Sequence, residues 1–321
     1  MDPPPEVMAT WPKPNYINPQ CQGPQLRIFS VILLALSVTM VGSRLWVRIH
    51  IKRSAGWDDW IMICALPFLI TITVLVNRGT DYGWGYHLWD YKIEWQKPSM
   101  MLNFICQVLF TTIMTLVKLS ILLSYLRFLT VPLFRYMNWT MIALVLAWGS
   151  GMLSYTYFIA LFLACSPLEA YWDIGAFQTA TCDNEQSRSL SFTITNLITD
   201  ILIVLIPIRT FWMLKLPTRE KLLLTGLMSL GLLACIASAI RIYYAYRMFY
   251  GSYDVSWEVY QVWFWILVEI NLAVICASMP TLRPLTQRYF PKLGFKSSNI
   301  LIASNRNHNR IHMAIPQFLT P

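Results

Sequence analysis

Seven long apolar runs divide this chain, at about 27–49, 60–77, 101–127, 139–164, 191–213, 222–246 and 261–285. Each approaches or exceeds the roughly 20 residues that carry an α-helix across a bilayer core. Backbone polar groups find no water there, so a spanning segment is a helix or part of a closed barrel. Barrel strands need only about 9–11 residues, and runs this long and apolar read as helices. The sequence therefore predicts an all-α, polytopic bundle of seven transmembrane helices. Composition agrees: only 13% of the 321 residues are charged, about half the share in soluble domains.

Charge gives the orientation. One set of loop and tail positions carries sixteen basic residues: Arg44, Arg48, Lys52, Arg53, Arg127, Arg135, Arg209, Lys215, Arg219, Lys221 and six from Arg283 to Arg310. The opposite set carries Lys13, Arg27, Arg78, Lys92, Lys97, Arg188 and Arg247. The basic side is expected to be cytoplasmic. This places residues 1–26 outside, 27–285 in the transmembrane domain and 286–321 in a cytoplasmic tail. The start, MDPPPEVMATWPKP, has no basic segment followed by an apolar core, so no cleavable signal is expected and the first run acts as the insertion signal. The net charge of +9 is spread over short loops and a tail. It reads as a topology signal and not as a nucleic-acid face. The partner expected from composition is the lipid bilayer, in a plasma membrane or an endomembrane.

The run Trp263–Leu285 contains Glu269 and Asn271. A carboxylate in hydrocarbon costs several kcal/mol unless it is paired or hydrated. Three other runs carry one charge each: Lys118, Asp200 and Arg241. Their formal sum is zero. Arg241 and Glu269 lie at similar depth on runs joined by a short loop, and are expected to pair. Lys118 with Asp200 is a second pairing, within reach of a long lysine side chain. Asn103, Gln107, Thr111 and Lys118 share one helical face, as do Thr193, Asn196 and Asp200. Such faces turn toward a bundle interior or a watered cavity. Gln107, Thr111, Lys118, Asn196, Asp200, Arg241 and Glu269 are thus the candidate pocket. A hydrogen-bonded network that fixes helix register explains the same pattern. The small Ala273, one turn below Glu269, leaves room for a cavity there.

On the outer side, Cys21, Cys106, Cys165 and Cys182 are disulfide candidates, with three possible connectivities. The loop DYGWGYHLWDYKIEW is dense in Trp and Tyr. An interfacial aromatic belt is the preferred reading, and a lid over a pocket is the alternative. No metal site or cofactor motif is read from the chain: there is no Gly-rich phosphate loop, nucleophile elbow or HExxH, and His308 and His312 fall in a polar tail.

Several stretches together resemble the fungal rhodopsin-like family of seven-helix membrane proteins: SRLWVRIHIKRSAGWDDWIM, KLSILLSYLRFL, CSPLEAYWD with a later TC, NLITDILIVLIPIRTFWMLKLPTREK and VEINLAVICASMPTLRPL. The likeness covers roughly residues 25–290. Retinal is nevertheless not expected, because residues 261–285 contain no Lys to form a Schiff base. The resemblance implies a receptor-like sensor that binds a small apolar ligand and couples to a cytoplasmic signalling partner. It leaves open a membrane enzyme of the cyclase type, or an accessory protein of secondary-metabolite biosynthesis. There Asp200 or Glu269 would be the general acid, and Trp263, Trp265, Tyr155 and Tyr244 would stabilise a carbocation. No inverted repeat is visible to favour a transporter.

Overall fold

The computed structural model describes residues 4–51, 53, 56–129, 137–173, 180–213 and 218–282. Side chains are described for these residues except at 126–129, 137–148, 150, 206–213 and 218–224. The expected tail, 286–321, lies outside the described residues, as do Lys52, Arg135 and Lys215.

Seven long helices follow one another: α1 (Gln25–Trp46), α2 (Trp57–Gly79), α3 (Gln96–Leu129), α4 (Met137–Phe162), α5 (Glu185–Met213), α6 (Thr218–Tyr246) and α7 (Val255–Ser278). Among the described residues six are long and apolar enough to cross a membrane: α1, α2, α3, α5, α6 and α7. The chain is thus a multi-pass integral membrane protein. In α4 the described apolar stretch is Gly151–Phe162.

Helices α3 and α7 form the centre. Helix α7 packs along α1, α3 and α6, while α3 packs along α2 and α4. Leu69 and Ile72 of α2, Ile113 and Val117 of α3, and Leu267 and Ile270 of α7 are fully enclosed among them. The outward faces carry exposed Ile and Leu, such as Ile32, Ile70, Ile198 and Leu232. That inversion suits a solvent as apolar as the core.

Helix α2 begins earlier than the apolar run at 60–77 suggests. Gly56 starts it, and the Gly56 amide donates to the Asp59 carboxylate at 3.1 Å. Asp58 and Asp59 occupy the first turn, where free N–H groups and the helix dipole favour carboxylates. Helix α1 runs on through a π-helical turn, Val47–Ile51.

The aromatic loop is a folded cap and not a belt. Three 3₁₀ turns, Thr80–Tyr82, Leu88–Asp90 and Ile93–Trp95, connect α2 to α3. Gly83 and Gly85 carry φ of +92° and +90°, a left-handed backbone that glycine adopts freely. These reversals turn Trp84 inward, where it is buried and stacks on Trp263 of α7 with ring centres 5.5 Å apart. The cap is tied to α7 by the Gly85 amide to the Ser256 carbonyl at 3.0 Å, the Ser256 hydroxyl to the Tyr86 carbonyl at 2.8 Å, and the Leu88 amide to the Asp254 carboxylate at 2.9 Å. His87 lies between Trp89 and Trp257, stacked on both, and meets the Asp254 carboxylate. An aromatic belt would leave Trp84 in the interface; here the cap's bonds withdraw it, while Tyr86, Trp89, Tyr91 and Trp95 stay partly exposed.

Between α4 and α5, Cys165–Ser166 (β1) pairs antiparallel with Thr181–Cys182 (β2). A disulfide joins Cys165 to Cys182. Cys21 and Cys106 are free thiols. Cys106 is enclosed in the core on α3, and the Cys21 backbone bridges to Tyr86, so neither meets another cysteine. Replacing Cys182 by Ser frees a loop with 17 residues of separation, whose closure entropy amounts to about 3 kcal/mol. The expected result is a lower Tm in non-reducing detergent, with wild-type protein in reductant shifted equally. A Cys182→Ser protein as stable as the oxidised wild type would contradict this.

Candidate functional site

Four charges meet inside the bundle through one asparagine. Arg241 Nε donates to Glu269 Oε2 at 2.7 Å and Nη2 to Oε1 at 3.2 Å, a forked contact of the kind guanidinium geometry favours. Nη1 also donates to the Thr193 hydroxyl at 3.2 Å, and the guanidinium lies 5.0 Å from the Phe110 ring centre. The Asn196 amide nitrogen donates to Glu269 Oε1 at 2.7 Å and to Asp200 Oδ2 at 3.2 Å. Asn196 Oδ1 in turn accepts from Lys118 Nζ at 2.8 Å. Lys118 pairs with Asp200 at 3.0 Å and donates to the Thr199 hydroxyl at 2.6 Å. Both expected pairs therefore form, and Asn196 joins them into one neutral chain across α3, α5, α6 and α7. In low dielectric each member would be costly alone, and each has its partner.

Two cavities lie on either side of the Arg241–Glu269 pair. Arg241 lines an outer cavity of about 290 Å³ beneath the cap. Its walls combine aromatic rings, among them Trp84, Tyr91, Phe110, Phe192 and Trp263, with aliphatic side chains, and Asn103, Gln107 and Glu185 add polar groups. Asn103 accepts from the Trp263 indole at 3.3 Å, and Trp84 donates to the Ser99 hydroxyl at 2.8 Å. Tyr171 donates to Glu185 at 2.7 Å. Burial pushes the Tyr91 phenol up, with the Ser99 hydroxyl opposing. Glu269 instead lines an inner cavity of about 40 Å³, shared with Lys118, Asp200 and Ala273. That volume suits one or two waters.

The sequence-derived candidates thus separate. Gln107 and Arg241 face the outer cavity; Lys118, Asp200 and Glu269 face the inner one. Asn196 holds the network between. Thr111 faces neither: its hydroxyl bonds the Gln107 carbonyl at 2.9 Å along its own helix. Of the four aromatics offered for a carbocation, Trp263 alone lines either cavity, and Tyr155 is largely exposed.

A second buried cluster escaped the sequence reading. Arg44 and Arg48 count there as loop charges and Asp58 and Asp59 stand only within a motif, yet all four are buried. Arg44 Nε bonds Asp59 at 2.9 Å, Nη2 bonds Asp58 at 2.8 Å and Nη1 bonds the Ala277 carbonyl at 2.6 Å. Arg48 meets Asp58 at 3.1 Å and Asp59 at 3.4 Å. The Ser124 hydroxyl donates to Asp58 at 3.0 Å. The signal was present: two arginines four residues apart end one span, two adjacent aspartates open the next, and the sum is zero.

The family model of the fungal rhodopsin domain matches residues 43–288. Receptor GIN3 of Arthrobotrys oligospora is 29% identical over 271 residues, 83% of this chain and 63% of that protein. The chain thus spans less than two thirds of that relative's length. The polyenoic acids biosynthesis gene cluster protein Ba17b of Metarhizium anisopliae is 23% identical over 297 residues, 88% of this chain and 79% of the relative. A SAT4 family membrane protein of Emericella nidulans is 23% identical over 272 residues, 84% of this chain and 65% of the relative. No solved structure matches the chain. The family match takes in the helices that carry both charge clusters and the outer cavity, and the chain belongs to the fungal rhodopsin domain family.

Proposed function

We propose that the chain is a seven-helix, receptor-like protein that binds a small, mainly apolar ligand in the outer cavity, without retinal. The observation that carries this reading is the cavity of about 290 Å³ under the cap, floored by Arg241 and walled by aromatic rings and aliphatic side chains. Its size, apolar walls and few converging polar groups are those of a small-molecule site. The ligand presents an acceptor to Asn103, Gln107 or Arg241 and a flat apolar body to Trp84 and Trp263. In this reading α4 supplies the seventh span, residues 1–26 and the cap face outward, and the tail 286–321 and basic loops face the cytosol, where a signalling partner docks. The Cys165–Cys182 disulfide supports this orientation, because such bonds persist in oxidising compartments. The name of the Arthrobotrys relative points the same way.

The name of the Metarhizium relative favours a second reading, an accessory protein or membrane enzyme of secondary-metabolite biosynthesis. The geometry changes which carboxylate would serve it. Asp200 and Glu269 reach only the inner cavity of about 40 Å³, too small for an organic substrate. Glu185 faces the outer one and is the better general acid.

Ala245, on α6, lines the outer cavity. Ala245→Phe should occupy part of it while replacing no member of either charge cluster. In a thermal-shift panel of monoterpenes, indoles and aryl ketones, a binder at about 100 times its Kd stabilises the wild type by about 2.7 kcal/mol. That response should vanish in Ala245→Phe at unchanged basal Tm. Equal shifts in both proteins would move the binding site out of this cavity.

A further inference from the structure

Arg188 lies in the first turns of α5, near the disulfide, and its side chain is only 7% exposed. Nε and Nη1 are enclosed and have no hydrogen-bond partner among the described residues. Among the described residues its ion-pair partner is Asp183, 3.9 Å from Nη1 and 66% exposed, beyond hydrogen-bonding distance; Glu185, one turn earlier on α5, is engaged by the Tyr171 hydroxyl. A buried guanidinium with two idle donors is costly. The buried Arg44, Arg241 and Lys118 each meet a carboxylate at 3.0 Å or less, and the buried Arg48 meets two, at 3.1 and 3.4 Å. Among the described residues nothing gives these two donors a hydrogen-bond partner.

The space beside it indicates what that partner is. Arg188 lines a cleft of about 230 Å³ between α4 and α5. Hydroxyl and amide side chains, Ser154, Thr156, Ser191, Thr195, Asn196 and Thr199, line it together with the apolar Leu153 and Ala160, and Lys118 lies at its far end. Arg188 and Thr199 are eleven residues apart on one helix, about 16 Å. The flanking faces carry exposed Leu153 and Ile159 on α4 and Ile194 and Ile198 on α5. These are lipid-facing surfaces, so the cleft opens sideways to the bilayer. Tyr157 and Phe192 line this cleft and the outer cavity alike, stacked with ring centres 3.7 Å apart. They form the wall between the two spaces.

We propose that the α4–α5 cleft binds an anionic amphiphile from the membrane, with its carboxylate or phosphate held by Arg188 and its hydrocarbon tail laid toward Thr199. A charged head satisfies Nε and Nη1 as charge-assisted bonds, and the tail covers an otherwise open groove. The chemistry is shared by a free fatty acid and an acidic phospholipid, and the test separates these sources.

The full chain in phosphatidylcholine nanodiscs is labelled with diazirine-bearing palmitate, hexadecanol or phosphatidate, and the labelled peptides are mapped. Palmitate or phosphatidate should label α4 and α5 near residues 153–160 and 191–199, and hexadecanol should not. Arg188→Gln should lower that labelling about tenfold, the loss of one charge-assisted bond, while Arg188→Lys retains most of it. Stronger labelling by palmitate identifies a free acid as the occupant, and stronger labelling by phosphatidate a membrane phospholipid. Should Arg188→Gln fail to fold, competition settles the matter in the wild type: unlabelled acid displaces the probe and hexadecanol does not. Equal labelling by acid and alcohol would overturn the proposal. So would undiminished labelling in an Arg188→Gln protein of wild-type Tm.

Discussion

Changing Glu269 to Gln is expected to remove most folded protein from the membrane. The amide no longer neutralises Arg241, whose guanidinium is buried between α5, α6 and α7. Stranding one member of a buried pair costs about 3–5 kcal/mol, comparable with the lower end of whole-domain stability. The Asn196 amide still finds an acceptor in the side-chain carbonyl of the glutamine, so the loss isolates the charge. The double variant Arg241→Met, Glu269→Gln removes both charges and should recover much of the yield. Size-exclusion profiles of fluorescent fusions, with Tm on the recovered protein, report the order: wild type, then double variant, then Glu269→Gln. Equal profiles for all three would mean that the pair does not hold the bundle.

At the opposite end of the bundle Arg44→Met should have a similar effect for a different reason. Arg44 satisfies Asp58, Asp59 and the Ala277 carbonyl at once, at 2.6–2.9 Å. Without it two buried carboxylates share Arg48, whose contacts are longer, and the end of α7 loses a donor. The expected loss is again about 3–5 kcal/mol. Arg48→Met should cost visibly less, because Arg44 still faces both aspartates. A milder effect for Arg44→Met than for Arg48→Met would show that the contact lengths do not rank the two side chains.

What the sequence exposed and what it hid follow from the same physics. The long apolar runs mark the helices because the bilayer demands unbroken backbone pairing. Arg241 and Glu269 were legible as a pair because a short connection makes α6 and α7 neighbours at matched depth. Lys118 and Asp200 were harder, since α3 and α5 are not consecutive and Asn196 closes the gap between the pairs. The position of each candidate relative to a cavity was not legible at all: spacing places Thr111 beside Gln107, but only side-chain direction shows that its hydroxyl turns back on the helix. Counting Arg44 and Arg48 as loop charges hid the second cluster, because charges at a span boundary read alike whether they face water or one another. The cap stood only as the alternative to a belt because aromatic density is common to belts and lids. The two positive-φ glycines beside Trp84 were the cue that the ring turns inward. Arg188 was one more charge near a helix start until its enclosure was seen.

Two charge clusters pin helix α7, and between them the Ser37 hydroxyl donates to Asn271 at 2.7 Å. Arg241 and Asn196 hold it at Glu269, and Arg44 holds it at Ala277, eight residues and about 12 Å further along. A rod fastened at two points cannot tilt about either one. Above the upper pin, the segment from Val255 to Val268 carries Trp263 and the anchors of the cap, and its side-chain ties run to the cap, to Asn103 of α3 and to the chain entering α1. A push on Trp263 from the outer cavity therefore meets the Arg241–Glu269 pin before it reaches the far end of α7. Whether that pin holds or opens sets how much of the displacement passes from the outer half of the helix to the inner one.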